Sequence, residues 1–164
     1  MVMKSGKAAL GLTAAAICVV ALASCVHIQR PIAAEKAWER FAGTWVNQQY
    51  SPEGCNCPWV QKIVIRANRT GEDWTRTTDT DPTWLWKVES IKKTWTDWRG
   101  RTYCQYFFRY PGRQGGVGLL RVSRSGKVLE LNSRSSLESG TYPEEIDPKA
   151  TPEKSWYYFI YHRE

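Results

Sequence analysis

Motifs for catalysis are missing from this 164-residue sequence. It contains no nucleophile elbow, no phosphate-binding loop and no His-Glu-x-x-His pair. Histidine is scarce, since His27 lies near the amino terminus and His162 lies close to the last residue. Because acid–base catalysis needs convergent groups of tuned protonation, we expect a protein that is not an enzyme and needs no cofactor.

Blocks of like charge are absent as well. Basic residues outnumber acidic ones by 23 to 16, but they are spread along the chain. Without a basic arm, no nucleic-acid partner is expected. The Cys-Asn-Cys sequence at 55–57 lacks the second Cys or His pair of a zinc site, and Asp79-Thr80-Asp81 lacks the rest of a calcium loop. No metal site is predicted.

One long apolar run is present, at the amino terminus. Lys4 and Lys7 precede residues 8–23, which are almost uncharged, and Leu-Ala-Ser-Cys occupies 22–25. The run is short for a membrane span and ends in small residues, so residues 1–24 are predicted to be a cleaved export signal. Its ending resembles the lipobox of bacterial lipoproteins. The alternative is an ordinary secretory signal with a coincidental cysteine.

The lipobox resemblance implies that cleavage follows Ser24 and that Cys25 carries diacylglycerol on sulfur and an acyl group, such as palmitate, on nitrogen. Two or more acyl chains anchor a protein stably, because each buried methylene contributes about 0.8 kcal/mol. Residues 25–31 are then the lipidated cysteine and a tether, and the membrane is a partner through Cys25. The predicted location is the bacterial cell envelope. Val26 is not the aspartate of the inner-membrane retention pattern, which favours the outer membrane.

Export also changes the charge and the cysteine inventory. Loss of Lys4 and Lys7 from the 23 basic residues leaves 21 against 16 acidic ones, a net charge of +5. Cys18 leaves with the signal and Cys25 is modified, so three cysteines remain: Cys55, Cys57 and Cys104. In an oxidising compartment, one of Cys55 and Cys57 is expected to pair with Cys104 as a disulfide. The sequence leaves open which one.

The remaining residues, 32–164, are long enough for one domain and are predicted to be all-β. A short helix at 32–41 has one apolar stripe and is ended by Gly43. Eight strands rich in aromatic and β-branched residues follow: 44–50, 60–68, 72–78, 84–96, 101–110, 118–123, 127–132 and 155–163. Short connections without helices predict an antiparallel meander, with glycine at positive φ in turns such as 68–71, 97–100 and 124–126.

Two strands carry further information. The last strand is apolar on both faces, so it should be covered on both sides and pair with the first strand to close an eight-stranded barrel. In the fourth strand, Trp84, Trp86 and Val88 share one parity, whereas Ile91 and Trp95 share the other. That change predicts a β-bulge near Glu89-Ser90.

Gly43-Thr44-Trp45 opens the first strand after the short helix, and Arg163 lies near the end of the last. With eight strands in meander order, the chain resembles a small bacterial lipocalin-like lipoprotein. In that family the opening tryptophan packs across the closed end of the barrel beneath an arginine. The resemblance therefore implies that Gly43, Trp45 and Arg163 form the barrel-closing motif. A cation over an indole contributes about 0.5–2 kcal/mol.

Nine tryptophans leave two hypotheses for function. An eight-stranded barrel is just wide enough to be filled by side chains or to hold one small ligand. If part of the lumen is open, it binds a small hydrophobic ligand, with the loop at 132–154 as a lid. The candidate wall residues are Trp84, Trp86, Trp95, Tyr106 and Phe108.

If the barrel is filled, the domain acts through its surface. It would then bind another envelope protein or a glycan, with Trp74, Trp98 or Tyr142 as anchors. An inhibitor of lysozyme is one form of this hypothesis, since residues 139–142 resemble the loop of such inhibitors. A net charge of +5 argues against that form, because it would repel a basic lysozyme.

Overall fold

The computed structural model describes residues 29–47, 60–75, 79–136, 141–149 and 157–164. These residues form a two-residue strand, one short helix and eight further strands. The elements are β1 (Arg30–Pro31), α1 (Ala34–Phe41), β2 (Gly43–Val46), β3 (Lys62–Ile65), β4 (Thr70–Trp74), β5 (Trp84–Thr96), β6 (Thr102–Arg109), β7 (Gly115–Val122), β8 (Val128–Ser136) and β9 (Tyr157–Arg163).

Strands β2 to β9 form a closed antiparallel meander barrel. Each strand pairs with the next one in the chain, including β5 with β6. The barrel closes where Trp45 and Val46 of β2 face Arg163 and His162 of β9. The predicted all-β fold, with a short helix followed by eight strands in meander order, is confirmed. Strand β1 lies outside this ring and pairs with the end of β5.

Helix α1 fills one end of the barrel, which we call the base. Ala37, Trp38 and Phe41 are buried on the predicted apolar stripe. The Trp38 indole N–H donates to the Arg66 carbonyl at 2.8 Å. Arg40 on the opposite side donates to Thr102 Oγ1 at 2.8 Å and to two carbonyls of the β7–β8 turn. Apolar packing and these hydrogen bonds together hold the helix in the base.

Strand β5 contains two register shifts against β6. One falls between Val88 and Ser90, where the sequence predicts a bulge, and the other falls between Ile91 and Lys93. Each shift moves the side chains that follow to the other face of the sheet. The second shift was not predicted, and it reverses the effect of the first. As a result, Trp95 lies on the outer face of the barrel.

Gly71 does not have the predicted role in a turn. It lies within β4, and the residue at positive φ is Arg69, at 67°. A Cβ on Gly71 would come within 2.1 Å of Cζ2 of Trp86. Glycine at this position therefore makes room for an indole that crosses the lumen. Gly100 and Gly126 do occupy their turns at positive φ, as predicted.

Residues 141–149 pack against the outer wall and not over the end of the barrel. The Gln105 side chain donates to the Pro143 carbonyl at 2.8 Å, and the Asp147 N–H donates to Asn132 Oδ1 at 2.6 Å. Ile146 is buried there with Trp95 and with Tyr103, whose ring stacks on Trp95 at 4.9 Å. The prediction that the whole loop is a lid is wrong for this segment, because its apolar and polar contacts are both with the outer wall.

Cys104 has a free thiol in this structure, so the predicted disulfide is not present. The side chain lies on the inner face of β6 opposite Thr94 and is fully buried in the core around α1. Burial raises the pKa of the thiol to about 12, so the residue behaves as a small apolar core group. Cys55 and Cys57 lie outside the described residues. No helix within the described ranges is long and apolar enough to cross a bilayer.

Candidate ligand-binding site

A cavity of about 370 Å³ occupies the half of the lumen that α1 does not fill. Its volume lies within the range of small-molecule pockets, which begins at about 300 Å³. Aromatic rings are the largest group among its lining side chains, eight of the 18 residues. The rings are those of Trp84, Trp86, Tyr106, Phe108, Tyr110, Tyr157, Phe159 and Tyr161.

The strand period of two explains this wall. Alternate residues of a strand face the lumen, so β5 contributes Trp84 and Trp86, and β6 contributes Tyr106 and Phe108. The rings support one another, since Phe108 lies 6.2 Å from Trp86 and 5.6 Å from Tyr106 between centroids. Aromatic pairs in this range add about 0.5–1.5 kcal/mol beyond their buried area. The wall is therefore held in shape without a ligand.

One carboxylate lies inside the aromatic wall. Asp73 of β4 is 6% exposed. Its Oδ1 accepts a hydrogen bond from the Trp86 indole at 2.8 Å, and its Oδ2 accepts one from the Tyr110 hydroxyl at 2.9 Å. Burial raises the pKa of Asp73 to about 6, although both hydrogen bonds lower it. The group is thus a mainly ionised acid at neutral pH in an apolar setting.

Two tyrosine hydroxyls in the same cavity have no hydrogen-bond partner within the described part of the chain. They belong to Tyr106, which is 3% exposed, and Tyr161, which is 1% exposed. Burial, followed by the nearby charge of Asp73, raises the pKa of both phenols well above the usual value. An unsatisfied buried hydroxyl costs about 1–3 kcal/mol. Both hydroxyls are therefore suited to bind a polar group that enters the cavity.

The margin of the cavity away from the base is polar. Arg113 and Gln114 of the β6–β7 turn lie there, with Ser133 and Arg134 of β8. Arg134 also donates to the Thr141 carbonyl at 3.3 Å. The cavity thus has an aromatic interior with one buried acid and a margin that carries positive charge.

The structure places four of the five predicted wall residues in the cavity: Trp84, Trp86, Tyr106 and Phe108. Trp95 does not line it, because the second shift in β5 turns this side chain outward. Sequence reasoning missed Asp73. The alternation of β4 was the available signal, since a residue two positions after an inward Gly71 also faces inward.

The predicted barrel-closing residues meet at the base, and none of them lines the cavity. The guanidinium carbon of Arg163 lies 4.3 Å from the centroid of the Trp45 ring. Arg163 also donates to the carbonyls of Gly126 at 2.9 Å and Arg40 at 3.0 Å. Gly43 has φ +148°, and a Cβ there would approach the guanidinium to 2.9 Å. The motif is therefore structural and closes the base. Cys25 lies outside the described residues.

The three predicted surface anchors differ in exposure. Trp98, in the β5–β6 turn, is 58% exposed, with the Arg99 guanidinium 4.6 Å from its ring. Trp74 is half-buried, with Lys62 Nζ 3.6 Å from its ring. Tyr142 is also half-buried. Trp98 alone among them is well placed to contact a partner.

Within the described ranges, no three His, Cys, Asp and Glu side chains come close enough to hold a metal ion. Comparison with protein-family models, curated proteins and solved structures finds no match to this chain. The site must therefore be interpreted from its own geometry. That geometry is a half-open, aromatic-rich space with a buried acid and two hydroxyls that have no hydrogen-bond partner among the described residues.

Proposed function

We propose that this chain is a lipid-anchored protein of the bacterial cell envelope, of the lipocalin-like type, and that its barrel binds one small amphipathic molecule without catalysis. The observation that carries the binding proposal is the 370 Å³ aromatic cavity. A molecule that fills it would gain about 25 cal/mol per Å² of apolar surface removed from water. Because the wall is already formed, little of that gain is lost to ordering side chains.

Tryptophan fluorescence provides the test of binding, because Trp84 and Trp86 line the cavity. We expect saturable changes in emission when the protein is titrated with a panel of amphiphiles: decan-1-ol, decylamine, decanoate and retinol. Absence of binding by every member, checked by calorimetry, would contradict the proposal.

A matched pair of variants distinguishes the lumen from the outer wall. Ser133→Phe places a ring inside the cavity, and Leu85→Phe places one at an exposed position of β5. We expect the first change to weaken binding of the tightest probe at least about tenfold, a loss of about 1.4 kcal/mol. The second should leave affinity unchanged. Equal changes in affinity for both variants would show that the probe does not bind in the lumen.

The lipid anchor is tested separately, in bacterial cells supplied with an alkyne-labelled palmitate. We expect the full chain to incorporate the label and to fractionate with membranes. Cys25→Ala should abolish both properties, whereas Cys18→Ala, a change within the proposed signal, should abolish neither. Label that persists in the Cys25→Ala variant would refute the lipobox interpretation.

A second candidate function is supported by the exposure of Trp98. With Arg99 beside its ring, this side chain has the character of an interface anchor for an envelope protein or a glycan. Pull-down from detergent-solubilised envelope, with the native chain and with Trp98→Ala, tests it. A partner recovered equally by both would count against a role for Trp98.

A further inference from the structure

We propose that the cavity selects an organic cation: a primary amine with an apolar body, whose ammonium group binds Asp73 and the hydroxyls of Tyr106 and Tyr161. This inference deepens the proposed function and rests on it. Neither the acid nor the two hydroxyls is needed to bind a purely apolar molecule.

The first argument is the missing counter-ion. Asp73 is buried, yet no arginine, lysine or histidine within the described part of the chain forms an ion pair with it; the ion pairs there involve Glu35, Glu72, Glu89, Asp97 and Glu130. Buried charges in proteins are normally paired. A cationic ligand would supply the partner that the described residues do not.

The second argument is the match of donors to acceptors. Each Asp73 oxygen already accepts one hydrogen bond, which leaves further lone pairs for a ligand. The oxygens of Tyr106 and Tyr161 can accept as well. An ammonium group has three N–H donors and no acceptor, so a carboxylate and two hydroxyls can satisfy all of them.

The third argument is the wall itself. A cation near the face of Trp or Tyr within about 6 Å of the ring centroid is stabilised by about 0.5–2 kcal/mol. Trp84, Trp86 and Phe108 line the same space as Asp73. The rings can therefore hold both the ammonium and the apolar body.

The same features disfavour the alternatives. A carboxylate head beside Asp73 would be repelled by the ionised acid. A fatty acid with its head at Arg113 and Arg134 would instead place methylenes against Asp73 and leave both hydroxyls unpartnered. In neither arrangement does the ligand form favourable polar contacts with Asp73 and both tyrosine hydroxyls.

Three probes with one tail and different heads test the inference: decylamine, decan-1-ol and decanoate, measured by calorimetry at pH about 7.5. We expect decylamine to bind at least about tenfold more tightly than decan-1-ol, with decanoate the weakest. Asp73→Asn should remove the preference for the amine and retain binding of decan-1-ol. Asn keeps the size of the side chain, with an oxygen for Trp86 and an N–H for Tyr110.

Glu89→Gln is the matched control, because it removes one negative charge from the outer wall. It should leave the amine preference intact. Tyr161→Phe, which removes one hydroxyl and little volume, should weaken decylamine binding several-fold and decan-1-ol binding by a smaller factor, so the preference for the amine should fall. This variant tests the inference even if Asp73→Asn fails to fold.

The pH provides an independent measurement on the unmodified chain. Protonation of Asp73 at low pH removes its charge, so decylamine affinity should fall about tenfold between pH 7.5 and pH 5, while decan-1-ol binding stays constant. The other titratable or charged side chains that line the cavity are Tyr106, Tyr110, Arg113, Arg134, Tyr157 and Tyr161. The arginines stay charged over this range.

The outcomes separate the two proposals. If neither the three probes nor retinol binds, the proposed function fails and this inference fails with it; if retinol alone binds, only this inference fails. If decan-1-ol or decanoate binds as tightly as decylamine, or if Asp73→Asn keeps the preference, the cation inference is overturned while binding in the lumen stands. An amine preference that depends on both Asp73 and pH supports the inference.

Discussion

Both halves of the barrel contain buried tryptophans, but the indole N–H groups donate to different kinds of acceptor. In the base, Trp45 and Phe41 are fully buried, and the Trp45 indole donates to the Phe41 carbonyl at 2.8 Å. In the other half, the Trp86 indole donates to the carboxylate of Asp73. A backbone carbonyl needs a partner in any fold, whereas a buried acid is an addition that costs stability.

This difference shows where the molecule is optimised for packing and where it is not. Trp38 and Trp45 in the base are fully buried, while the other half contains a 370 Å³ cavity beside Asp73, an acid without an ion pair among the described residues. Local departures of this kind are typical of functional sites in otherwise well-packed proteins. If the cavity binds a ligand as proposed, stability and binding depend on different ends of one sheet.

Truncation of one tryptophan in each half should show the largest difference between the two halves in free energy of unfolding. Trp45→Ala removes a fully buried indole from the base and should lower the free energy of unfolding by about 3–5 kcal/mol. Trp84 is only half-buried beside an existing cavity, so Trp84→Ala should cost less than about 2 kcal/mol. Urea denaturation measures both values. Equal costs would show that the two halves are packed alike.

Asp73→Asn should have the next largest effect on the free energy of unfolding, and it should raise this free energy at neutral pH. Because the pKa of Asp73 is raised from 3.8 to about 6, the folded state holds the proton more tightly than the unfolded state. Stability from this group is therefore complete below pH about 4 and is lost as pH rises through about 6, by about 3 kcal/mol.

Asparagine does not titrate, so the Asp73→Asn variant should be more stable than the native chain at pH 7.5. The difference in their free energies of unfolding should become smaller towards pH 4. Thermal unfolding at several pH values measures the difference. The Glu89→Gln control should follow the native profile. A native chain whose relative stability rises with pH over this range would contradict the raised pKa.

Arg163→Met should have the smallest effect of the three. The change removes the cation over Trp45 and two hydrogen bonds to carbonyls, but the side chain is exposed and its apolar stem is kept. We expect a loss of about 1–2 kcal/mol in the free energy of unfolding, with no change in ligand affinity. A loss of binding in this variant would show that the base and the cavity are coupled.

The sequence was enough to predict most of the barrel, because alternation and turn residues act locally. Strand β5 was predicted with the bounds that it has, at 84–96, and closure followed from a last strand with no polar face. Long-range geometry was harder to foresee. The second shift in β5 depends on pairing with β6, and no local pattern marks it, so Trp95 was assigned to the wrong face.

The adjacent acids of β4 show the same limit within the candidate site. Glu72 and Asp73 look alike in the sequence, but neighbouring residues of a strand face opposite ways. Glu72 forms an ion pair with Arg66, and Asp73 faces the lumen. Gly71 was assigned to a turn, and its contact with Trp86 shows that it lies inside the barrel. Had Gly71 been placed in the strand, the orientation of Asp73 would have followed.

Strand β1 determines how the barrel would sit on a bilayer. Arg30 pairs with Thr96 next to the β5–β6 turn, so the chain joins the domain at the base, at the opposite end from the cavity. Only three residues separate Cys25 from Gln29, which limits the distance from anchor to domain to on the order of 15 Å. With Cys25 acylated as proposed, the base would rest on the headgroups and the cavity would face the aqueous phase. A ligand would then be captured from solution, and extraction from the membrane would require the whole domain to turn over.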